Sequence, residues 1–355
     1  MNSTFLAKGV RRSLAQIRYV SPVLPGTADG LVASVYEQAE RDFGLVAAPL
    51  VLHSPAPVLL AASWTMLRET LLAVGSASRA EKEVAAAAVS VANACPYCVA
   101  VHSATARGLA RDLVPAEITA GRIESITDPG LREIARWARL SGQPSLGLPV
   151  PAGNFPELAG VAVTFHYLNR MVSVFLPESP LPPLTPKSVR GWVMDMLASA
   201  MVSASPAPGA ALGLLPDAPL PAEFSWAQGE PRVASALARA AAAIAAAGDL
   251  AVPQAVRALV LDRLSSWDGQ PPGPSRDWAG AAVAGLAATD RAAGRLALLT
   301  ALAPNQVGSA DVEDLRRSAV STDEALIGLT SWASMAAARR IGAWLREPAP
   351  SRAGQ

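Results

Sequence analysis

The hydrophobic pattern along this chain is helical almost from end to end. From Glu83 to Ala94 the sequence is rich in alanine and valine and holds neither glycine nor proline, which predicts a buried helix. Pro96 suits the first turn of a second helix, because the N–H it lacks would go unpaired there anyway. Cys95 then falls at the N-cap and Cys98 in the first turn. Residues 31–43 have helical spacing, with Leu31, Val35 and Phe43 apolar. Residues 58–74 predict an amphipathic helix carrying Trp64 and Met66. A short helix is expected over 116–124, and another over 130–141 with Ile134, Trp137 and Ala138 on one face. Residues 157–176 are apolar enough for a core helix, and 187–204 form a further helix with Trp192 and Met194 as candidate core. Alternating strand patterns are scarce, so the expected fold class is all-α.

Proline and glycine punctuate the rest. Residues 1–30 read as an extended or lightly helical arm closed by Pro22, Pro25 and Gly26, and 179–186 as a stiff proline-rich connector. Residues 205–222 are rich in proline and glycine with little charge and read as a linker between two halves. The expected organisation is a first domain over 1–204, the linker, a second helical unit over 223–346 and a disordered tail over 347–355. The second unit reads as a degenerate repeat of the first. A helix over 230–247, ending at Gly248, echoes the helix ending at Gly75; 256–267 echoes the helix that begins at Glu83. In this register Val256 stands opposite Glu83, Asp268 opposite Cys95, Pro271 opposite Cys98 and Ser275 opposite His102, so every reactive position is lost. Residues 289–302 echo the segment from Asp128, and Arg339 and Arg340, within 311–345, fall near the Asn169-Arg170 position.

Composition narrows the function classes. Charges nearly balance, at a formal +1, with no basic cluster of the kind nucleic-acid partners require. No apolar stretch reads as the ~20 residues of a membrane helix, and the N-terminus lacks the apolar core and cleavage site of a secretory signal. Two cysteines in 355 residues build no disulfide framework and suit a reducing, cytoplasmic setting. Phosphate-loop, dinucleotide-loop, nucleophile-elbow and HExxH patterns are absent.

The chemistry concentrates in one stretch. Both cysteines, Cys95 and Cys98, stand three residues apart; His102, one of only three histidines, follows Cys98 by four, and Glu83 lies one helix upstream. Cys98 and His102 share a helix face. A helix N-terminus and a nearby imidazole both favour thiolate over thiol, which predicts a lowered cysteine pKa. A thiolate attacks peroxide oxygen and becomes a sulfenic acid, which a second cysteine at this distance converts to a disulfide. Glu83 is the candidate proton acceptor. Competing readings are two inert core cysteines, a three-ligand zinc site made of Cys95, Cys98 and His102, and a glutaredoxin-like dithiol, which the helical context opposes. His53, beside a turn, reads as structural. His166, Asn169 and Arg170 lie at i, i+3 and i+4 on the 157–176 helix; they either satisfy one another inside the bundle or place His166 in the dithiol pocket.

Glutamate, eleven residues, CxxC, three residues and histidine resembles the core of the alkylhydroperoxidase D-like proteins of the carboxymuconolactone decarboxylase superfamily. The resemblance implies an all-α fold of two fused units, the second a structural mate. It implies Cys98 as peroxidatic cysteine, Cys95 as resolving cysteine, Glu83 as base and His102 as its polar partner. It further implies no bound cofactor or metal, an external lipoyl or thioredoxin-like dithiol reductant, an organic hydroperoxide substrate and self-association into a homo-oligomer. One position departs from the family's best-known peroxidases: Tyr97 stands where they carry a histidine in the proton relay. A phenol with a pKa near ~10 can relay a proton but is a poor base at neutral pH. The expected function is thiol-dependent hydroperoxide reduction. The alternatives are a dithiol sensor or exchange protein without fast turnover, and a non-redox decarboxylase-like enzyme of the same superfamily.

Overall fold

The computed structural model describes residues 12–109, 114–144, 152–181, 185–202, 205–318 and 322–345; the expected tail and the first part of the N-terminal arm lie outside them. Among the described residues all regular structure is helical. The first half runs α1 (Gly30–Phe43), α2 (Ala48–Val51), α3 (Pro57–Leu67), α4 (Arg79–Ala92), α5 (Pro96–Leu109), α6 (Val114–Thr119), α7 (Pro129–Leu140), α8 (Phe155–Phe175) and α9 (Lys187–Val202). The second half runs α10 (Pro231–Ala251), α11 (Gln254–Ser265), α12 (Asp277–Ala282), α13 (Arg291–Leu302), α14 (Ser309–Ser318) and α15 (Asp323–Gly342).

Local chemistry sets the boundaries that matter for the site. α4 begins at Arg79, four residues before the expected start, because Ser78 and Glu81 form a reciprocal capping box. The run Ala85 to Ala88 in α4 carries so little side chain that α5, α7 and α8 all pack closely around it. Asp128 caps α7 through the Leu131 N–H at 2.9 Å, and Ile134, Trp137 and Ala138 form its buried face as expected. α8 is buried over nearly its whole length.

One apolar core runs through both halves. α10 lies beside α3, and α15 beside α8. This explains why α3 is buried on all sides rather than amphipathic. The helix then passes into a π-helical turn, Arg68–Leu72, instead of continuing as α-helix to residue 74. α10 is long and apolar enough, with mean hydropathy 1.4, to meet the length and composition of a membrane span, which the sequence reading did not anticipate. Its alanine-rich face, including Val233, Leu237, Ala241 and Ile244, is instead buried against the other helices.

In the second half α10 and α13 both pack against α15, while α11 packs against α13 and, over a smaller area, against α15. Gly248 is not a helix end. α10 continues through it to Ala251, and the Trp332 indole packs so closely that a Cβ at position 248 has no room. Arg170 is buried and donates to the Ala301 carbonyl at 2.9 Å and the His166 carbonyl at 2.6 Å. Arg339 and Arg340 are half-buried and serve Glu223 and the Ser265 carbonyl, so they do not reproduce Arg170. Trp192 is 52% exposed rather than core, whereas Met201 and Ala198 of the same helix are buried.

Two buried charge clusters tie the halves together. Glu69 accepts from the backbone N–H groups of Gly209 (2.7 Å) and Ala211 (3.0 Å), while Arg68 pairs with Asp42 and Glu69 and donates to the Ala207 carbonyl at 2.9 Å. The expected linker is therefore a strap packed across α3, its free backbone groups supplying what two buried charges need. Glu157 on α8 pairs with Lys82 of α4 at 2.7 Å and Arg232 of α10 at 2.8 Å, and accepts from the Ser76 N–H at 3.0 Å. His53 is wholly buried, bonded to the Pro49 carbonyl and the Tyr167 hydroxyl, and burial pushes its pKa down to about 4. It is a structural residue, as the sequence suggested.

Burial alone would raise the Glu157 pKa, but hydrogen bonds and charge from Lys82 and Arg232, with the Ser76 N–H, hold it below the ordinary carboxylate value of 4.5. A depressed carboxylate contributes stability that is full above its unfolded pKa and is lost as pH falls through the folded one. Glu157→Gln leaves buried Lys82 without its counter-ion and Arg232 with only Glu230 at 3.7 Å, and is expected to destabilise the fold by about 3–5 kcal/mol at neutral pH. In urea denaturation the deficit should shrink as pH falls below 4.5; a loss under about 1 kcal/mol at pH 7 contradicts this account.

Candidate active site

The site forms where the chain turns from α4 into α5. Ala94 makes that turn with φ of +47°, in the left-handed region, which costs a residue with a Cβ about 1–2 kcal/mol. The short link lets α5 pack back along α4. Cys95 immediately precedes α5, and its carbonyl accepts the Val99 N–H at 3.0 Å; Cys98 is in the first turn.

Glu83 is fully buried, and both its oxygens are engaged. Oε1 accepts from Arg79 Nε at 2.9 Å and a second Arg79 nitrogen at 2.7 Å; Oε2 lies 2.7 Å from His102 Nδ1. Burial pushes the carboxyl pKa up, but the Arg79 charge and the hydrogen bonds from His102 and Arg79 outweigh it, so Glu83 is held below the ordinary carboxylate value. An ionised carboxylate accepts from Nδ1–H, which leaves His102 Nε2 as the ring nitrogen able to take a proton. The His102 ring stands edge-on to Phe165, with centroids 4.5 Å apart. Arg79, at i–4 from Glu83, was visible in the sequence and is the member of this group that the motif did not flag.

The two cysteines are free thiols whose sulfurs are 2.8 Å apart, with Cys95 placed to donate to Cys98. The expectation of a lowered Cys98 pKa is overturned. Burial pushes the Cys98 thiol well up, and negative charge on the neighbouring Cys95 sulfur acts in the same direction. The Asn169 amide and the local backbone N–H act in the opposite direction without offsetting them. The helix terminus and imidazole argued from sequence are present, but the imidazole is committed to Glu83 and the sulfur lies in dry surroundings.

A cavity of about 370 Å³ opens against this turn. Cys98, His102 and Tyr97 line it, with Trp64, Leu67, Phe165, Leu168 and Met194 among its apolar walls. Arg12 is the one fully charged side chain among its described lining residues. Cys95 and Glu83 do not reach the cavity: the first lies behind Cys98 and the second behind His102. Tyr97 is buried with its hydroxyl bonded to Ser13, and burial pushes its pKa further up, so it is no proton acceptor. His166 does not line the cavity either. It sits between Ser141 and Asn93 on the far side of Asn169, and burial together with the Arg170 charge pushes its pKa well down. Among the described residues no three His, Cys, Asp or Glu side chains are grouped to hold a metal ion.

The cavity gives the two thiols different access, which single-cysteine variants can read. Iodoacetamide should modify Cys98 in Cys95→Ser about tenfold faster than Cys95 in Cys98→Ser, and the Cys98 rate should still be climbing at pH 9. Faster modification of Cys95, or a plateau near neutral pH, contradicts the geometry.

Comparison with known proteins identifies the family. The sequence profile of the carboxymuconolactone decarboxylase family matches residues 59–138, which span α3 to α7 and contain Glu83, Cys95, Cys98 and His102. The chain is also 38% identical, over 335 residues, to alkyl hydroperoxide reductase Rv2159c of Mycobacterium tuberculosis (strain ATCC 25618 / H37Rv), an alignment covering 93% of this chain and 95% of that protein. By its all-helical fold, its Glu–CxxC–His turn and this full-length similarity, the chain belongs to the carboxymuconolactone decarboxylase family, in its alkylhydroperoxidase D-like branch.

Proposed function

We propose that this protein reduces organic hydroperoxides through a dithiol–disulfide cycle of Cys98 and Cys95. The observation that carries the reading is the division of access: Cys98 faces an apolar cavity beside His102, while the Cys95 sulfur waits 2.8 Å behind it. The relative's name, alkyl hydroperoxide reductase, supports the same chemistry.

The steps balance as follows. A hydroperoxide enters with its organic part against the apolar walls, which suit it better than a charged substrate. As Cys98 gives up its proton to His102 Nε2, its sulfur attacks the terminal peroxide oxygen. The S–O bond forms, the O–O bond breaks, and the departing alkoxide takes the proton back from His102 to leave as an alcohol. Cys98 is now a sulfenic acid. The Cys95 sulfur attacks it, the S–S bond forms and water leaves, carrying the Cys95 proton. Glu83 keeps His102 in the tautomer that accepts at Nε2 and stabilises the imidazolium while it lasts, and Arg79 keeps Glu83 ionised. An external dithiol, of the lipoyl or thioredoxin-like kind, then reduces the disulfide by exchange. Such a cycle suits a reducing compartment such as the cytoplasm, and self-association of the chain is part of the same reading.

A second reading has two observations in its favour. The buried Cys98 thiol has a raised pKa, and Tyr97 cannot accept its proton; both slow a peroxidase and suit a dithiol sensor or exchange protein.

Turnover of cumene hydroperoxide with a dihydrolipoamide-regenerating system separates the two. Wild type should turn over, Cys98→Ser should lose at least about a thousandfold, and Glu83→Gln about a hundredfold. A disulfide that forms and reduces reversibly with lipoamide, without peroxide consumption, establishes the exchange reading instead.

A further inference from the structure

One wall of the cavity beside Cys98 is made of thioethers. Three of the chain's seven methionines, Met194, Met196 and Met201, stand on α9, and all three line that cavity together with Cys98 and His102. Val189 and Val193 of the same helix complete the wall. An apolar wall does not call for sulfur, because leucine forms helix as readily and buries a similar apolar surface. What methionine adds is a flexible, polarisable chain whose sulfur can be oxidised.

α9 is lightly held. Val189 is 39% and Trp192 52% exposed, while Ala198 and Met201 are buried. The helix packs chiefly against α5 and, over a smaller area, against α1. Arg107 of α5 pairs with Asp195 at 3.0 Å, but both side chains are more than half exposed, and such a pair contributes little. What keeps α9 in place is therefore largely its apolar face, to which these methionines belong.

We propose that Met194, Met196 and Met201 are oxidised by the hydroperoxide that the cavity admits once the thiols are spent, and that the resulting sulfoxides loosen α9 from α5. In each case a sulfur lone pair attacks the terminal peroxide oxygen; the S–O bond forms and the O–O bond breaks. The proton on that oxygen passes to the departing alkoxide, which leaves as an alcohol. The thioether is oxidised to a sulfoxide and the peroxide is reduced, with no other reactant. A thiolate is the stronger nucleophile, so reduced Cys98 takes the peroxide first. A Cys95–Cys98 disulfide cannot, and peroxide that arrives while the external dithiol is exhausted meets methionine instead. A sulfoxide is polar and disrupts the apolar contacts its thioether made, and sulfoxide reductases restore it. The wall thus carries a reversible record of peroxide left unreduced.

The proposal rests on the peroxidase reading only in taking this cavity as the place where hydroperoxide enters; oxygen transfer to a thioether needs neither cysteine. Its test therefore uses Cys95→Ser/Cys98→Ser protein, treated with cumene hydroperoxide, with sulfoxide at each methionine followed by peptide mass spectrometry. Exposure is controlled within the molecule. Met201 and Met335 are each 3% exposed, but Met335 lines a separate cavity in the second half, and Met66 and Met171 are wholly buried and line neither. In the folded protein Met201 should gain oxygen at least about tenfold faster than Met335, and in urea the two should react alike. Hydrogen exchange should then show the α9 amides opening about tenfold faster than before oxidation. Met194→Leu/Met196→Leu/Met201→Leu, which nearly conserves volume, should show no such change. If the double-serine variant does not fold, wild type oxidised beforehand to the Cys95–Cys98 disulfide takes its place. Equal rates at Met201 and Met335 in the folded protein overturn the assignment, because exposure alone then governs. Unchanged exchange of α9 after oxidation overturns the loosening. A failed peroxidase leaves both readouts as they are, since no cysteine chemistry enters them.

Discussion

A carboxylate with no contact with water must keep its charge or lose it, and the answer organises this protein. Glu83 keeps its charge because Arg79 takes one oxygen and His102 the other. Removing either partner would leave a buried ion short of donors, which is among the costliest faults a core can carry. Satisfying it fixes three things together. Arg79 must sit one turn before Glu83, which the capping box at Ser78 and Glu81 makes possible. α5 must return along α4 so that His102 arrives at the carboxylate, and the left-handed backbone at Ala94 makes that return. His102 must also reach the cavity wall, which Cys98 lines with it.

The same logic of buried charge recurs away from the site, with a different result. Glu157 draws in cations from α4 and α10, and Glu69 draws in the backbone of the strap. These contacts join the two halves, whereas the partner Glu83 holds, His102, lines a cavity. The second half takes no part in lining that cavity among the described residues. Its helices instead cover α3 and α8, the surfaces a single half would leave open. The chemistry and the support are thus separated along the chain, although one core serves both.

Much of this was legible in the sequence, and the reasons for the rest are physical. The spacing of Glu83, Cys95, Cys98 and His102 is local, so helix geometry alone brings Cys98 and His102 to one face, and the family pattern supplied Glu83. Boundaries marked by capping residues, as at Asp128, were readable for the same reason. What sequence could not supply was environment. The helix terminus and imidazole argued for a lowered Cys98 pKa, but the depth of burial decides the sign, and no pattern states depth. Gly248 reads as a helix stop until Trp332, from the far end of the chain, is placed over it. The strap reads as a linker because its proline and glycine content is visible, while the buried Arg68 and Glu69 that hold it are separated from it by more than a hundred residues. Spacing placed Asn169 beside His166 and Arg170, but its bond to Asn93 carries no spacing signal, since the two meet only when α4 and α8 pack.

The central claim is that the two thiols form one redox unit with Cys98 in front, and stoichiometry in a single turnover tests it most directly. The fully reduced protein is mixed with one equivalent of cumene hydroperoxide in the absence of any other thiol. One cumyl alcohol should appear per chain, both thiols should disappear together, and the peptide carrying Cys95 should be found joined to that carrying Cys98. Intact peroxide with both thiols still titratable, or alcohol formed while both thiols remain, would contradict it.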